Sequence, residues 1–202
     1  MASKGISATL LIGLAVLILG CKFPTTRGAG KSTATPDTEP LIARAIERIR
    51  ADDGLSKEEA EKRRIVVFLN ERDDLDSFSF LFETQDPHMH HNFAQLSFSQ
   101  GRAWRVGNES SQQNWIADMG DVSLGQLKQI PADADARWVK GPQGHTSAPI
   151  ELGHAYWIRC RNQLYSMYHR HDFYVKFRVL TYEEDKAATI EWEYGPDGRS
   201  GS

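Results

Sequence analysis

Strict alternation near the C-terminal end constrains this chain more than any other feature. Phe173, Val175, Phe177 and Val179 fall on one side of an extended segment with Lys176 and Arg178 on the other, and Ile190, Trp192 and Tyr194 alternate with Glu191 and Glu193. Period two is the signature of a half-buried strand, and two such runs joined by the turn-forming stretch Glu183 to Ala187 form an antiparallel hairpin. Pairing them turns one apolar face inward and sets lysine and arginine beside glutamate on the other. Those charges read as a solvated face.

The same character begins at Ile65, where β-branched and aromatic runs replace helical spacing. Strands are expected at Ile65 to Leu69, Ser77 to Phe82, Phe93 to Phe98, Ala103 to Val106, Val122 to Leu127, Arg137 to Val139, Ala155 to Cys160, Gln163 to Tyr168, Phe173 to Tyr182 and Thr189 to Tyr194. Many short strands separated by Gly, Asn, Asp and Pro turns predict a mainly β, antiparallel sandwich or barrel-like domain. Before it, Leu41, Ile42, Ala45, Ile46 and Ile49 recur at helical spacing, Gly54 stops that helix, and Ser56 with Glu59 offers a capping box for a second. One or two short N-terminal helices therefore precede the β-domain as a collar.

The N-terminal end reads differently. Lys4 precedes an apolar run from Ile6 to Gly20, which is shorter than the roughly 20 apolar residues a spanning helix needs. Leu17, Ile18, Leu19, Gly20 and Cys21 close that run, and polar sequence follows at once, the plan of an export signal with a small residue before the cut. It resembles a bacterial lipoprotein signal peptide, in which Cys21 is lipidated and becomes the mature N-terminus. The expected organisation is a signal peptide over 1–20, a flexible tether over 21–40, a helical segment over 41–64, a β-domain over 65–198 and a disordered tail over 199–202. The tether, rich in Thr, Gly, Pro and Ser, lacks the apolar content to order itself. The expected address is the bacterial cell envelope, lipid-anchored and facing the periplasm or the cell surface.

After removal of the signal, the chain suffices for one core of ordinary size. A net charge of −3 without a long basic block gives no sign of a nucleic-acid partner. The string Gly28-Ala29-Gly30-Lys31-Ser32-Thr33 imitates the end of a phosphate-binding loop, but Thr25 stands where the first glycine belongs and neither strand nor helix flanks it, so no nucleotide is expected. Lipidation of Cys21 leaves Cys160 without an intrachain partner. Cys160 shares the face of Tyr156 and Ile158 and reads as a small buried hydrophobe.

Seven histidines mark this chain, three of them crowded into His88, His90 and His91 on a turn after Pro87, a candidate zinc, copper or nickel site. His145 lies in the loop Gly141-Pro142-Gln143-Gly144-His145, His154 at a strand entrance, and His169 and His171 flank Arg170. Hydrolytic signatures are missing. No Gly-x-Ser-x-Gly turn occurs, and Asp73 with Asp74 or Glu183 with Glu184 are adjacent turn residues whose side chains diverge. No catalytic residue is assigned and the chain is not expected to be an enzyme.

Gly153-His154-Ala155-Tyr156-Trp157-Ile158-Arg159, then Tyr174 to Val179, then Thr189 to Tyr194 with Pro196-Asp197-Gly198, resemble the closing strands of HmuY-like lipoproteins. Ser77 to Phe80, Asn92-Phe93-Ala94 and Ile130 to Asp133 resemble earlier family stretches, so the resemblance runs from about Ser77 to Gly198. It implies a lipid-anchored, all-β haem-binding protein whose loop side chains complete the axial coordination of iron. His145 is then the first candidate axial ligand and His154 the second. The segment Arg161 to Asp172 is extra relative to the family and offers Tyr165, Met167, Tyr168, His169 and His171 as a partner loop or a relocated ligand set. Three functions remain open at this point: a non-catalytic binding or interaction module without a cofactor, haem or transition-metal capture, and an enzyme on a β scaffold.

Overall fold

A computed structural model of the chain describes residues 37–72, 75–80, 83–85, 94–107, 114–141, 146–161 and 172–196. Among the described residues two helices, α1 (Glu39–Asp53) and α2 (Lys57–Glu61), lead into ten strands. These are β1 (Arg64–Leu69), β2 (Ser77–Phe78), β3 (Leu96–Ser99), β4 (Ala103–Val106), β5 (Trp115–Asp121), β6 (Trp138–Val139), β7 (Thr146–Pro149), β8 (His154–Arg161), β9 (Asp172–Glu183) and β10 (Ala187–Tyr194). They form a six-stranded sheet in the order β1-β10-β9-β8-β5-β6 and a four-stranded sheet in the order β2-β3-β4-β7. Every pairing is antiparallel, and the sheets make an open sandwich, as the alternating sequence predicts.

The predicted hairpin is present as β9 and β10, with Glu191 opposite Arg178 and Glu193 opposite Lys176. Pairing steps from Ile190 with Val179 to Thr189 with Thr181, which leaves Leu180 as an extra residue. Such a bulge reverses the alternation beyond it. Tyr182 thereby turns toward the sandwich core, and Leu180 packs among Ala45, Ile49, Ala60 and Ile65 on the opposite face.

Between the sheets lies an aromatic-rich core. Trp104 sits edge-on to Phe68 and Phe177 at centroid distances of 5.2 and 5.4 Å, while Phe80 and Phe78 pack against Trp192. Each such ring removed from water contributes roughly 1.5–3 kcal/mol, so this face dominates the stability of the sandwich. Cys160 is buried in the same cluster with Tyr156 and Ile158, as a small hydrophobe should be. At one end the sheets are clasped by their turns. The Asp185 amide donates to Gly101 O, Tyr182 Oη donates to the same carbonyl, and Arg102 forms a two-pronged pair with Asp185 at 2.6 and 2.8 Å.

The helices cover the outer face of the larger sheet. Leu41, Ala45 and Ile49, at i, i+4 and i+8, make the buried stripe of α1, and Gly54 ends it in the left-handed conformation that glycine adopts without strain. Ser56 and Glu59 form the predicted capping box of α2. The helical segment starts at Glu39, two residues before the expected boundary, because Pro40 is tolerated in a first turn, where its missing N–H is not needed.

Several strand expectations need correction. Val122 to Leu127 is not a strand: Leu124–Gln126 is a 3₁₀ turn, and Gln126 Oε1 accepts from the Ser123 amide at 2.8 Å. The neighbouring strand β5 was not expected, because Asp118 and Gly120 interrupt its alternation at a bulge where Gly120 has φ +77°. Thr146–Pro149 also escapes period-two reading, being made of small residues with a proline, yet it pairs with β4 at the edge of its sheet, where proline is tolerated. Of the expected second strand Ser77–Phe78, and of the expected third its end, Leu96 to Phe98 within β3, are strand among the described residues. Gln163 to Tyr168, the string 28–33 and the tail 199–202 lie outside the described residues.

Candidate functional site

The outer face of the large sheet is covered twice. At one side α1 and α2 pack on Ile65 and Leu180; at the other, the segment from Leu124 to Trp138 packs on Ala117, Ala155 and Trp157. Lys176 pins the second cover by donating to the carbonyls of Leu124 and Leu127 at 2.8 and 3.1 Å. Between the covers opens a cleft of about 650 Å³.

Arg178 lies on its floor and Arg48, Asp52, Asp53, Arg63, Asp121 and Ser123 are among its lining. Here the expectation of a solvated charged face is overturned. Arg178 and Glu191 retain only 3% and 1% of their exposure, because the end of α1 lies over them. Arg178 Nε meets Glu191 Oε1 at 2.8 Å, while Nη1 stands 3.5 and 3.6 Å from carboxylate oxygens of Asp53 and Asp52. A buried ion that is not paired costs several kcal/mol, so these opposite charges are placed together. Burial pushes the Glu191 carboxyl above its ordinary range, aided by the like charge of Asp53 and opposed by Arg178 and Arg63.

Bonding in the cleft is uneven. Arg48 holds Asp52 at 3.2 Å. Arg63 approaches Asp53 and Glu193 only to 3.6 and 4.0 Å, beyond hydrogen-bond range, and Arg178 Nη2 and both Asp53 oxygens have no hydrogen-bond partner. Along the β5 wall the glycine at 153, with φ +90°, matters sterically, since a Cβ there would stand 2.9 Å from Asp121 Oδ1 and 3.2 Å from an Arg48 nitrogen.

His154 is the one histidine candidate among the described residues. It enters β8 beside this wall, opposite Asp121, and its Nδ1 lies 3.0 Å from both carboxylate oxygens of Asp118. The β5 bulge makes that contact, and Gly120 N donates to Asp118 Oδ1 at 2.8 Å. Neighbouring Tyr156 donates to Pro149 O and accepts from the Glu151 amide, and burial raises its hydroxyl pKa well above the ordinary value. Cys21, His88, His90, His91, His145, Tyr165, Met167, Tyr168, His169 and His171 lie outside the described residues. Among the described residues, no three His, Cys, Asp or Glu side chains cluster as a metal would need.

An aromatic platform forms the far end of the same face. Trp115 is flanked by Lys140 Nζ at 4.3 Å and Arg159 Cζ at 4.6 Å, and Trp138 stacks edge-on to it while donating to the carbonyls of Pro131 and Ala132. Arg159 is also paired with Asp133 at 2.7 Å. Sequence reading missed the cleft residues Arg178, Asp53 and Arg63, and Glu191 beneath them. The available signal was an amphipathic helix in need of a face to cover, next to a hairpin with one charged face to offer. Comparison of the chain with protein-family models, with curated proteins and with solved structures gave no match.

Proposed function

We propose that this chain is a lipid-anchored, non-catalytic binding module of the bacterial envelope, tethered through Cys21, whose ligand seat is the cleft over the outer face of the large sheet. The observation that carries the reading is that cleft of about 650 Å³ floored by buried Arg178, a volume within the ordinary range of small-ligand sites. Glu191, the carboxyl that burial raises, is under Arg178 and is not part of the lining, which favours holding a ligand over moving its protons. Exposed Gly125 supplies a clean test, since a Cβ there would meet only Ser123 Oγ at 3.8 Å and a larger side chain can grow into the cleft. Full-length protein purified from membranes should carry a small molecule detectable by native mass spectrometry, and Gly125→Trp should lose it while keeping its fold. Identical spectra from both proteins would end this reading. Palmitate labelling that persists in Cys21→Ser would end the anchor.

Haem capture is a second reading, favoured by His154. A carboxylate on one imidazole nitrogen orients the ring and leaves the other nitrogen to a ligand, the usual support of a metal-bound histidine. His154 Nε2 would hold the iron on this reading, with His145 as the second ligand that the family resemblance implies. Hemin titration should then give a Soret shift that His154→Ala weakens, and an unchanged shift in that variant removes His154 from the assignment.

A further inference from the structure

The reading of the cleft as a ligand seat rests on its shape and floor; its charges narrow the ligand further. Three arginines and three aspartates line it, Arg48, Arg63 and Arg178 against Asp52, Asp53 and Asp121, so neither a simple anion nor a simple cation matches the whole. Arg48 and Asp52 are already bonded to each other, and Asp53 and Arg178 face each other at 3.5 Å on the floor. Two groups are left open at the rim. The half-exposed Arg63 guanidinium has its nearest carboxylates at 3.6 and 4.0 Å, and the exposed Asp121 carboxylate has neither a hydrogen bond nor an ion pair among the described residues.

These two sit on opposite sides. Arg63 immediately precedes β1 and Asp121 ends β5, and in the sheet order β1-β10-β9-β8-β5 four strand spacings separate them. At about 4.8 Å each, that places the two backbones roughly 19 Å apart across the strands, and the register sets them a further three residues, roughly 10 Å, apart along the strands, so roughly 21 Å in all. Side chains reaching inward from both walls leave a span comparable to two or three extended residues at roughly 3.5 Å each, longer than a single amino acid. Beneath that span Arg178 Nη2 and both Asp53 oxygens are buried without hydrogen-bond partners, a donor and acceptors suited to the C=O and N–H groups of a peptide.

We infer that the cleft binds a short zwitterionic peptide of two or three residues, its carboxylate on Arg63 and its ammonium on Asp121.

Triglycine is the probe, measured by calorimetry on the full-length protein against glycine, N-acetyltriglycine and triglycinamide. Each lost charge-assisted contact should weaken binding about tenfold, so triglycine should bind tighter than all three. Asp121→Asn should reduce triglycine to the affinity of the acetylated probe, and Arg63→Gln to that of the amide. Both residues lie outside the core, and a circular dichroism melt confirms that each variant is folded. Equal affinity for triglycine and its capped forms, or no heat from triglycine, overturns the inference. If native mass spectrometry meanwhile finds a different molecule that Gly125→Trp expels, the binding reading stands and the peptide assignment alone falls. If Gly125→Trp changes nothing that co-purifies, both fall.

Discussion

The two faces of the six-stranded sheet are built from the same strands and stabilised by opposite means. Inward, Phe177, Val179, Ile190 and Trp192 meet the second sheet in an apolar, aromatic core. Outward, the alternating residues Lys176, Arg178, Glu191 and Glu193 meet one another, the end of α1 and the 3₁₀ turn in a network of ion pairs and hydrogen bonds. An apolar face gains from every contact that excludes water, whereas a charged face gains only where each buried charge finds its opposite. The inner face is therefore filled, and the outer one keeps a cleft where its two covers fail to meet.

The comparison is broken most severely from the inside. Trp104→Ala removes a fully buried indole that touches Phe68, Phe98 and Phe177, and should cost about 3–5 kcal/mol in urea denaturation. On the outer face Arg178→Met should cost about 3 kcal/mol, since it leaves Glu191 and Asp53 buried without their cation. Combining it with Glu191→Leu should return part of that loss, because two apolar side chains need no pairing; a double variant no better than the single would show that the pair is not the source. Gly101→Ala attacks the clasp that shuts the inner face. Its Cβ would stand 2.5 Å from Asp185 Cα at a φ of +69°, and roughly 1–3 kcal/mol of strain should appear in the same assay.

The smallest effect is a slope. Because the Glu191 carboxyl titrates above its ordinary 4.5 in the folded chain, the folded state holds that proton longer than the unfolded one. Its contribution to stability is thus fully present below the unfolded pKa and is lost as pH rises through the raised folded value. Glu191→Gln, which cannot lose the proton, should abolish this component. The stability of the parent relative to the variant should fall from about pH 4.5 upward. A difference that stays constant or grows with pH would contradict the assigned direction.

How much was legible can be seen strand by strand. The β9–β10 hairpin, the collar stripe of Leu41, Ala45 and Ile49, the Ser56 capping box and the burial of Cys160 follow from local periodicity and were read directly from the residues. Strand β5 was not, because its bulge at Asp118 to Asp121 breaks the period, and β7 was not, because Thr, Ser, Ala and Pro carry no strand signal. In both cases pairing with neighbours distant in sequence overrides weak local preference. Of the candidate site, His154 was named from sequence, but its partner Asp118 was not, since the bulge alone brings the two together. The cleft was invisible for a related reason. Asp53, Asp121 and Arg178 belong to three separate elements and Arg63 to the turn before a fourth, and no spacing along the chain connects them.

By itself the sequence determined which residues share a face, because side-chain direction alternates with the backbone of a strand and recurs every three or four residues in a helix. It thereby determined an antiparallel β-sandwich with a helical collar. Only the tertiary structure decided what covers each face. Arg178 and Glu191 read identically whether they meet water or α1, and it is the docking of that helix, through contacts more than a hundred residues apart, that turned a charged surface into the buried floor of a cleft.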